Sequence, residues 1–497
     1  GAGHIAAGGD GDSLHGPASS TTWQVHGPGS GAVAGLAFEG MESLFGAPDN
    51  EDTFVFGALG GLAGVVDGGA GGFDSVVLDG GSFASVKYTF TGRFSGVVTR
   101  DGVELAYDGM EPLTDNSSAA ARVFEGTVIA DRVELIRTGP GTLRIQGEND
   151  LSGFERHDFA DPSISLTVDL GFNAKGTDEH IFVGALGAVA FDLILDTGST
   201  NKNDDGEDTV RFDGDISLGG HDLVVTAETI TVSAGVVLST SDGTQAGDIT
   251  FDSWDVALES GSQLLAVGPG IDTSGDIEID ARDVNAYFTP LVNVDVSEVS
   301  VTVAGGVVIS GRDVVIVATA DNEHIVDLSD GELSSIALDT LAQAVEGLTQ
   351  VVAGVSVSVA TATIDLQAGS TINARNFVAS AEAKAFAVTE PILPLPVGAA
   401  VAVDVTDATL TLAGNVTTTG NATLQASTDN AIRVLADTSG LKGAAAALAV
   451  SVIVSNAQAH VTDDAVLVVG GNLSLQAVTT DRTRTISRSA AGKDGSV

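Results

Sequence analysis

Beyond about residue 166, one six-residue phrase keeps returning, and it restricts the fold more than any other feature of the chain. An acidic or amide residue is followed by alternating apolar positions and closes on alanine: Asp222 to Ala227, Asp276 to Ala281, Asp313 to Ala318, Asn376 to Ala381, Asn421 to Ala426 and Asn472 to Ala477. Successive copies lie 54, 37, 63, 45 and 51 residues apart. Period-two alternation rich in β-branched residues is the pattern of a half-buried strand. A strand that returns at variable intervals of this size is what stacked coils with loop insertions leave in a sequence. At roughly 20 to 25 residues per coil, each interval is expected to hold about two coils.

Longer alternating stretches precede the later copies, at Val355 to Val359, Ala400 to Val405 and Leu448 to Val454. The turns between them carry residues that tolerate positive φ, such as Gly305, Gly306, Gly369, Asn415 and Gly470. One segment breaks the β pattern. Leu333, Ile336, Ala337, Leu341, Ala344, Val345, Leu348 and Val352 recur at three- and four-residue steps behind Ser329 and Asp330, which predicts an amphipathic helix covering an exposed sheet face or coil end. Pro391, Pro394 and Pro396 then mark a stiff extended excursion.

The first third carries a different repeat. Trp23, Gly27, Ser30 and Gly31 return 65 positions later as Tyr88, Gly92, Ser95 and Gly96, and Phe38, Met41 and Leu44 return 69 positions later as Tyr107, Met110 and Leu113. Both methionines of the chain sit in this motif, and a partial third copy runs from Leu143 to Glu155. The expected organisation is therefore a Gly/Asp-rich duplicated β-repeat region over 1–165, solenoid coils over 166–328, a helical insertion over 329–352 and further coils over 353–497. The fold expected is all-β, an elongated parallel β-solenoid.

Composition agrees with thin stacked layers. Aromatic residues make up only 5% of the chain and there are 63 glycines, so the interior must be built from Val, Ile, Leu and Ala. With no cysteine, disulfides and thiolate metal sites are excluded. A formal charge of −46 repels phosphate and anionic lipid, which argues against nucleic acid and membrane-surface partners and leaves cations as the natural counter-partners. Runs such as Ala444 to Val454 are shorter than the roughly 20 apolar residues a membrane helix needs, so no membrane span is expected. The chain opens on Gly1 rather than Met and reads as a portion of something longer.

The stretch from Ala444 to Val461, followed by Val466 to Ala477, resembles the alternating strand, glycine turn and second strand of filamentous-haemagglutinin-like and autotransporter-like bacterial adhesins. The first third resembles the Gly- and Asp-rich, RTX-like blocks of giant bacterial surface proteins. What these resemblances imply is a right-handed β-helix, an extracellular or cell-surface location, a structural or adhesive role toward an unidentified surface ligand, and calcium binding. Self-association into an extracellular filament or matrix is one alternative; a β-helix polysaccharide lyase or glycosidase is another.

The RTX phrase uses glycine turns to aim carbonyls and Asp carboxylates at a hard cation. Gly69, Gly71, Gly72 and Asp74 match it except at Ala70; Asp204 and Asp208 keep its second half; and Asp52 lies in a segment that has lost the glycines. Asp52, Asp74, Asp204 and Asp208 are the candidate calcium ligands, ordinary acidic turns being the alternative. Asp196, Thr197 and Gly198 resemble the active-site loop of pepsin-like aspartic proteases. That chemistry needs two carboxylates sharing one proton, and no companion Asp-Thr-Gly loop exists, so a strand ending in a turn accounts for them as well. The eight histidines are dispersed without ligand spacing, and no enzyme activity is expected.

Overall fold

The computed structural model describes residues 3–9, 11–147, 156–171, 177–198, 207–286, 292–324, 352–389, 397–437 and 446–489. The fold is an all-β solenoid: strands follow one another in sequence order and pair mainly in parallel with strands of the next coil. The chain divides into two compact units, one formed by Gly1–Glu278, Val303–Val314 and Gly369–Arg375, the other by Ile279–Thr302, Val315–Ala368 and Asn376–Val497. The helix expected over 329–352 lies outside the described residues, apart from Val352, which opens the strand Val352–Leu366.

In the first unit, short strands stack in three rows. One row contains His180–Val183, Thr209–Phe212, Thr229–Val232 and Asp255–Leu258. A second contains Ser165–Asp169, Asp192–Asp196, Leu223–Thr226 and Ile249–Ser253. A third, of two to four residues per strand, runs from Gly187–Ala188 through Ile216–Ser217, Val237–Ser239, Gln263–Leu265 and Val308–Ser310 to Thr371–Ala374. Alternation sends every second side chain inward, so like falls on like: Val210 over Ile230 over Val256, all buried, at steps of 20 and 26 residues.

The duplicated segment of the first third is a three-stranded antiparallel insert in this parallel stack. Thr22–Gly27, Ser30–Val33 and Leu36–Glu39 form one copy, and Ser82–Gly92, Ser95–Arg100 and Val103–Asp108 the next. The two methionines do the same work: the Met41 N–H donates to Gly29 C=O and the Met110 N–H to Phe94 C=O, each holding down a hairpin turn, and both side chains are buried. A third copy begins earlier than the sequence comparison placed it, at Arg132–Gly139, pairing with Thr142–Gly147 and then His157–Ala160. All three hairpins carry a register shift just before the turn, at Gly27, Gly92 and Gly139.

The second unit keeps the coil plan but lengthens it. Val352–Leu366, Val397–Leu412 and Ala446–Val461 pair in parallel at register steps of 46 and 49 residues. Asn376–Thr389, Ala422–Asp437 and Leu473–Arg488 pair at steps of 45 and 51, and short strands Asn415–Thr418 and Val466–Val469 join the two rows. Here the phrase intervals of 45 and 51 residues are single coils with strands of 14 to 16 residues, not two coils as the spacing suggested. Among the described residues two coils fill the interval between Asp222 and Asp276, where the rung at Asp248 stands between them. The interior is lined by small side chains, including Ala379, Ala381, Ala383, Ala385 and Ala387 on one strand and Ala400 and Ala402 on another, all buried.

Candidate functional site

The residue that leads each phrase has a defined task. In the first unit the Asp222 N–H donates to Asp192 Oδ1 at 3.1 Å, Asp248 N–H to Asp222 Oδ1 at 2.8 Å, Asp276 N–H to Asp248 Oδ1 at 2.8 Å and Asp313 N–H to Asp276 Oδ1 at 3.1 Å. In the second unit Asn421 N–H donates to Asn376 Oδ1 at 3.0 Å and Asn472 N–H to Asn421 Oδ1 at 2.9 Å. A short side chain with a carbonyl-type oxygen at the strand entrance thus accepts the first N–H of the next coil, which explains why only Asp or Asn opens the phrase. Arginines clamp two rungs: Arg312 Nε meets Asp276 Oδ1 at 2.8 Å and Arg375 Nε meets Asp313 Oδ1 at 3.0 Å, and each guanidinium has a second contact to the same carboxylate.

The calcium candidates fall into a second set of rungs. Asp52 accepts the Thr21 N–H on Oδ1 at 2.8 Å and the Ala47 N–H on Oδ2 at 3.3 Å, while its own N–H donates to Asp74 Oδ1 at 2.6 Å. Asp208 Oδ1 accepts the Glu179 N–H at 2.9 Å, and the Asp208 N–H donates to Glu228 Oε2 at 3.1 Å. Asp52 and Asp74 are thus brought together, Asp208 lies further along the same sheet with Glu179 and Glu228, and Asp204 lies outside the described residues. Burial pushes the Glu179 carboxyl up, and the adjacent Asp208 carboxylate adds to that. Among the described residues no three acidic or histidine side chains converge on one point.

Asp74 differs from the other two in facing space. It borders a cavity of about 270 Å³ with Gly69, Gly71, Gly72, Phe94, Gly109 and Glu111. Its pKa is raised to about 6, chiefly by burial and further by the charges of Asp52, Asp67 and Glu111. Gly72 cannot be replaced: its φ is +103° and a Cβ would stand 1.8 Å from the Asn50 carbonyl oxygen.

The protease-like loop is a turn. Asp196 ends the strand Asp192–Asp196 and its Oδ1 accepts the Gly198 N–H at 2.9 Å, with Gly198 at φ +122°. The Thr197 N–H and hydroxyl both donate to the Thr226 carbonyl of the next coil. Burial raises the Asp196 pKa, and the hydrogen bond from Gly198 opposes it. Among the described residues no second carboxylate perturbs Asp196.

A groove on the second unit brings together residues that no motif marked. Asp321, Lys384, Phe386, Asp429 and Arg482 line a depression of about 420 Å³ on the outward side of the long strands. Register sets the pattern: Lys384 lies beside Asp429, and Phe386 lies beside Ala431, which lies beside Arg482. Lys384 Nζ is 3.1 Å from Glu382 and 3.9 Å from Asp321, and Arg482 grips both oxygens of Asp429 at 2.7 and 2.8 Å. Such a surface offers an aromatic ring between fixed donors and acceptors, the combination that suits one apolar face and several hydroxyls on a ligand. From strand to strand the steps Asp321 to Lys384, Lys384 to Asp429 and Asp429 to Arg482 span 63, 45 and 53 positions, and only the pairing register makes these residues neighbours. No protein-family model matches the chain, and neither a curated protein nor a solved structure matches it.

Proposed function

We propose that this chain is a structural or adhesive extracellular protein, a portion of a large bacterial surface adhesin whose stacked coils hold ligand-contacting faces in fixed register. The observation that carries the reading is the use made of its polar side chains. The Asp and Asn residues that open successive phrases accept N–H groups of the following coil, so they serve stacking rather than reaction chemistry. Outward residues are the ones available to a partner, and the groove at Lys384, Phe386, Asp429 and Arg482 is the place where a sugar-rich surface would be met. Labelled chain is expected to bind glycan-coated beads or whole cells, and Phe386→Ala combined with Arg482→Glu is expected to lower that binding at least tenfold with an unchanged melting temperature. Failure to bind any glycan or cell surface would remove the adhesive half of the reading.

The lyase or glycosidase alternative draws on the same groove, where carboxylates stand beside Lys384 and Arg482. Release of reducing ends or unsaturated products from an acidic or neutral glycan, abolished by Asp429→Asn, would favour it over adhesion. Calcium belongs to this reading at one place only, the cavity at Asp74, where an ion would take that carboxylate and main-chain carbonyls of the glycine turn. Millimolar calcium is expected to raise the melting temperature relative to a chelator, since a ligand bound only by the folded state stabilises it. An unchanged midpoint would exclude structural calcium.

A further inference from the structure

In the second unit Asn376–Thr389, Ala422–Asp437 and Leu473–Arg488 pair in parallel, so their outward side chains stand in rows across the strands. One row is Phe386, Ala431 and Arg482, and the next places Arg433 directly beside Arg484. Ala431 is the small member of its row, half-buried and facing outward, and it forms the floor of the groove between the Phe386 ring and the Arg482 guanidinium. Neighbouring strands lie about 4.8 Å apart, so the backbones carrying these two walls are about 10 Å from one another, which leaves room for one sugar ring over Ala431. Lys384 and Asp429, side by side in the preceding row, close one end. The groove volume of about 420 Å³ is that of a small-molecule site.

The charge of this face runs against that of the chain. Acidic residues outnumber basic ones by 67 to 21 in the sequence, yet among the described side chains here Lys384, Arg433, Arg482 and Arg484 stand against Asp321, Glu382 and Asp429. Lys384 is spent on Glu382 and Asp321. Arg482 commits only Nη2 to Asp429, and its Nε and Nη1 make no hydrogen bond among the described residues. Arg484 is exposed and has no hydrogen bond or ion pair among the described residues. Like charges at one register position of neighbouring strands, as at Arg433 and Arg484, oppose pairing, and an anion beside them relieves that repulsion. A guanidinium presents a planar fork that matches the oxygens of a carboxylate or sulfate. The net charge of −46 does not override this, because charges beyond about 8 Å are largely screened at physiological ionic strength. Arg482 and Arg484, two residues apart on one strand, lie within that distance, at about 7 Å along the backbone.

We propose that the groove takes one unit of an acidic saccharide: its ring lies over Ala431 against Phe386, its hydroxyls meet Asp429 and Lys384, and its carboxylate or sulfate is held by Arg482 and Arg484 beside Arg433. The inference rests on the adhesive reading of this groove and deepens it by naming the class of sugar. A neutral sugar leaves the guanidinium groups without an anion, and a bare anion uses neither the ring nor the floor.

Titration calorimetry on the chain 1–497 tests this with four probes: a uronic-acid hexasaccharide, a sulfated hexasaccharide, a neutral hexasaccharide and single-stranded DNA. At least one acidic saccharide is expected to bind at least tenfold more tightly than the neutral one, and whether the carboxylate or the sulfate is preferred names the anion. This comparison needs no variant. Arg433→Gln combined with Arg484→Gln is expected to remove that tenfold preference while leaving the melting temperature unchanged, both positions being exposed. Ala431→Trp fills the floor and is expected to abolish saccharide binding of either kind. Equal or tighter binding of the neutral hexasaccharide overturns the proposal and leaves adhesion standing. Binding of DNA as tightly as the acidic saccharides, or acidic-saccharide binding unchanged by Ala431→Trp, also overturns it, since the patch would then hold any polyanion. Failure to bind any saccharide removes both this proposal and the adhesive reading.

Discussion

Two fully buried carboxylates, Asp115 in the first compact unit and Asp404 in the second, are handled differently. In the first, Arg122 and Asp115 are fully buried and paired: Arg122 Nη1 donates to Asp115 Oδ2 at 2.7 Å, Arg122 Nη2 to Ser117 C=O at 2.6 Å, and the Tyr88 hydroxyl to the same Asp115 oxygen at 2.5 Å. Arg100 likewise spends its guanidinium on the carbonyls of Gly57 and Gly60. In the second unit Asp404 is fully buried on a long strand, between Ala402 and Thr406 on the inward side, and neither of its oxygens has a hydrogen-bond partner among the described residues. Its pKa is raised to about 7 by burial. Short coils with aromatic and branched cores leave room for a cation to reach an acid, as with Arg122 lying 5.8 Å from the Phe159 ring centre. Around Asp404 the long strands are lined inward largely by alanine, and no basic side chain is among the buried residues described there.

The largest expected effect breaks the buried pair. Arg122→Leu leaves Asp115 charged and buried, and is expected to destabilise the first unit by about 3–5 kcal/mol. Trp23 and Trp254 are the chain's two tryptophans and both belong to that unit, so their fluorescence follows it alone in a denaturant titration. A loss under about 1 kcal/mol would show that the buried pair is dispensable.

Of comparable size, and opposite in sign, is the release of Asp404. The folded state favours its neutral form, so the burden is absent below about pH 4, grows as pH rises through about 7 and is complete above that. A displacement of this size corresponds to about 4 kcal/mol at alkaline pH. Asp404→Asn is expected to raise the stability of the second unit at pH 8 and to leave it unchanged at pH 4, read as the circular-dichroism transition that tryptophan fluorescence does not follow. Equal gains at both pH values would mean that charge is not the cause.

The finest probe compares rungs. Asn421→Ala removes the acceptor for the Asn472 N–H and is expected to cost about 1 kcal/mol. In the first unit Asp276→Ala also unseats Arg312 and is expected to cost about 2 kcal/mol. If the two losses are equal, the arginine clamp adds nothing to a rung.

Much of this was legible before any coordinates. The alternation around Asp222, Asp276, Asp313, Asn376, Asn421 and Asn472 locates strands that are present, and the leading Asp or Asn is the residue that links coils. The duplication around Met41 and Met110 marks hairpin inserts. Its third copy could have been recognised from Gly139, Pro140 and Gly141, which repeat Gly27, Pro28 and Gly29. Coil length was not legible, because 45 residues can hold two coils of short strands or one coil of long strands with the same alternation. The groove was not legible either: Lys384 and Asp429 are ordinary surface residues until the register sets them side by side.

What the sequence determined by itself is which side chains face inward, because a strand has a period of two and the alternation states its phase at every position. What only the tertiary structure decided is which residues of different coils lie on one rung. That choice depends on turn length and on stacking between segments about 50 residues apart, such as Ala422 and Leu473, and no local pattern carries it.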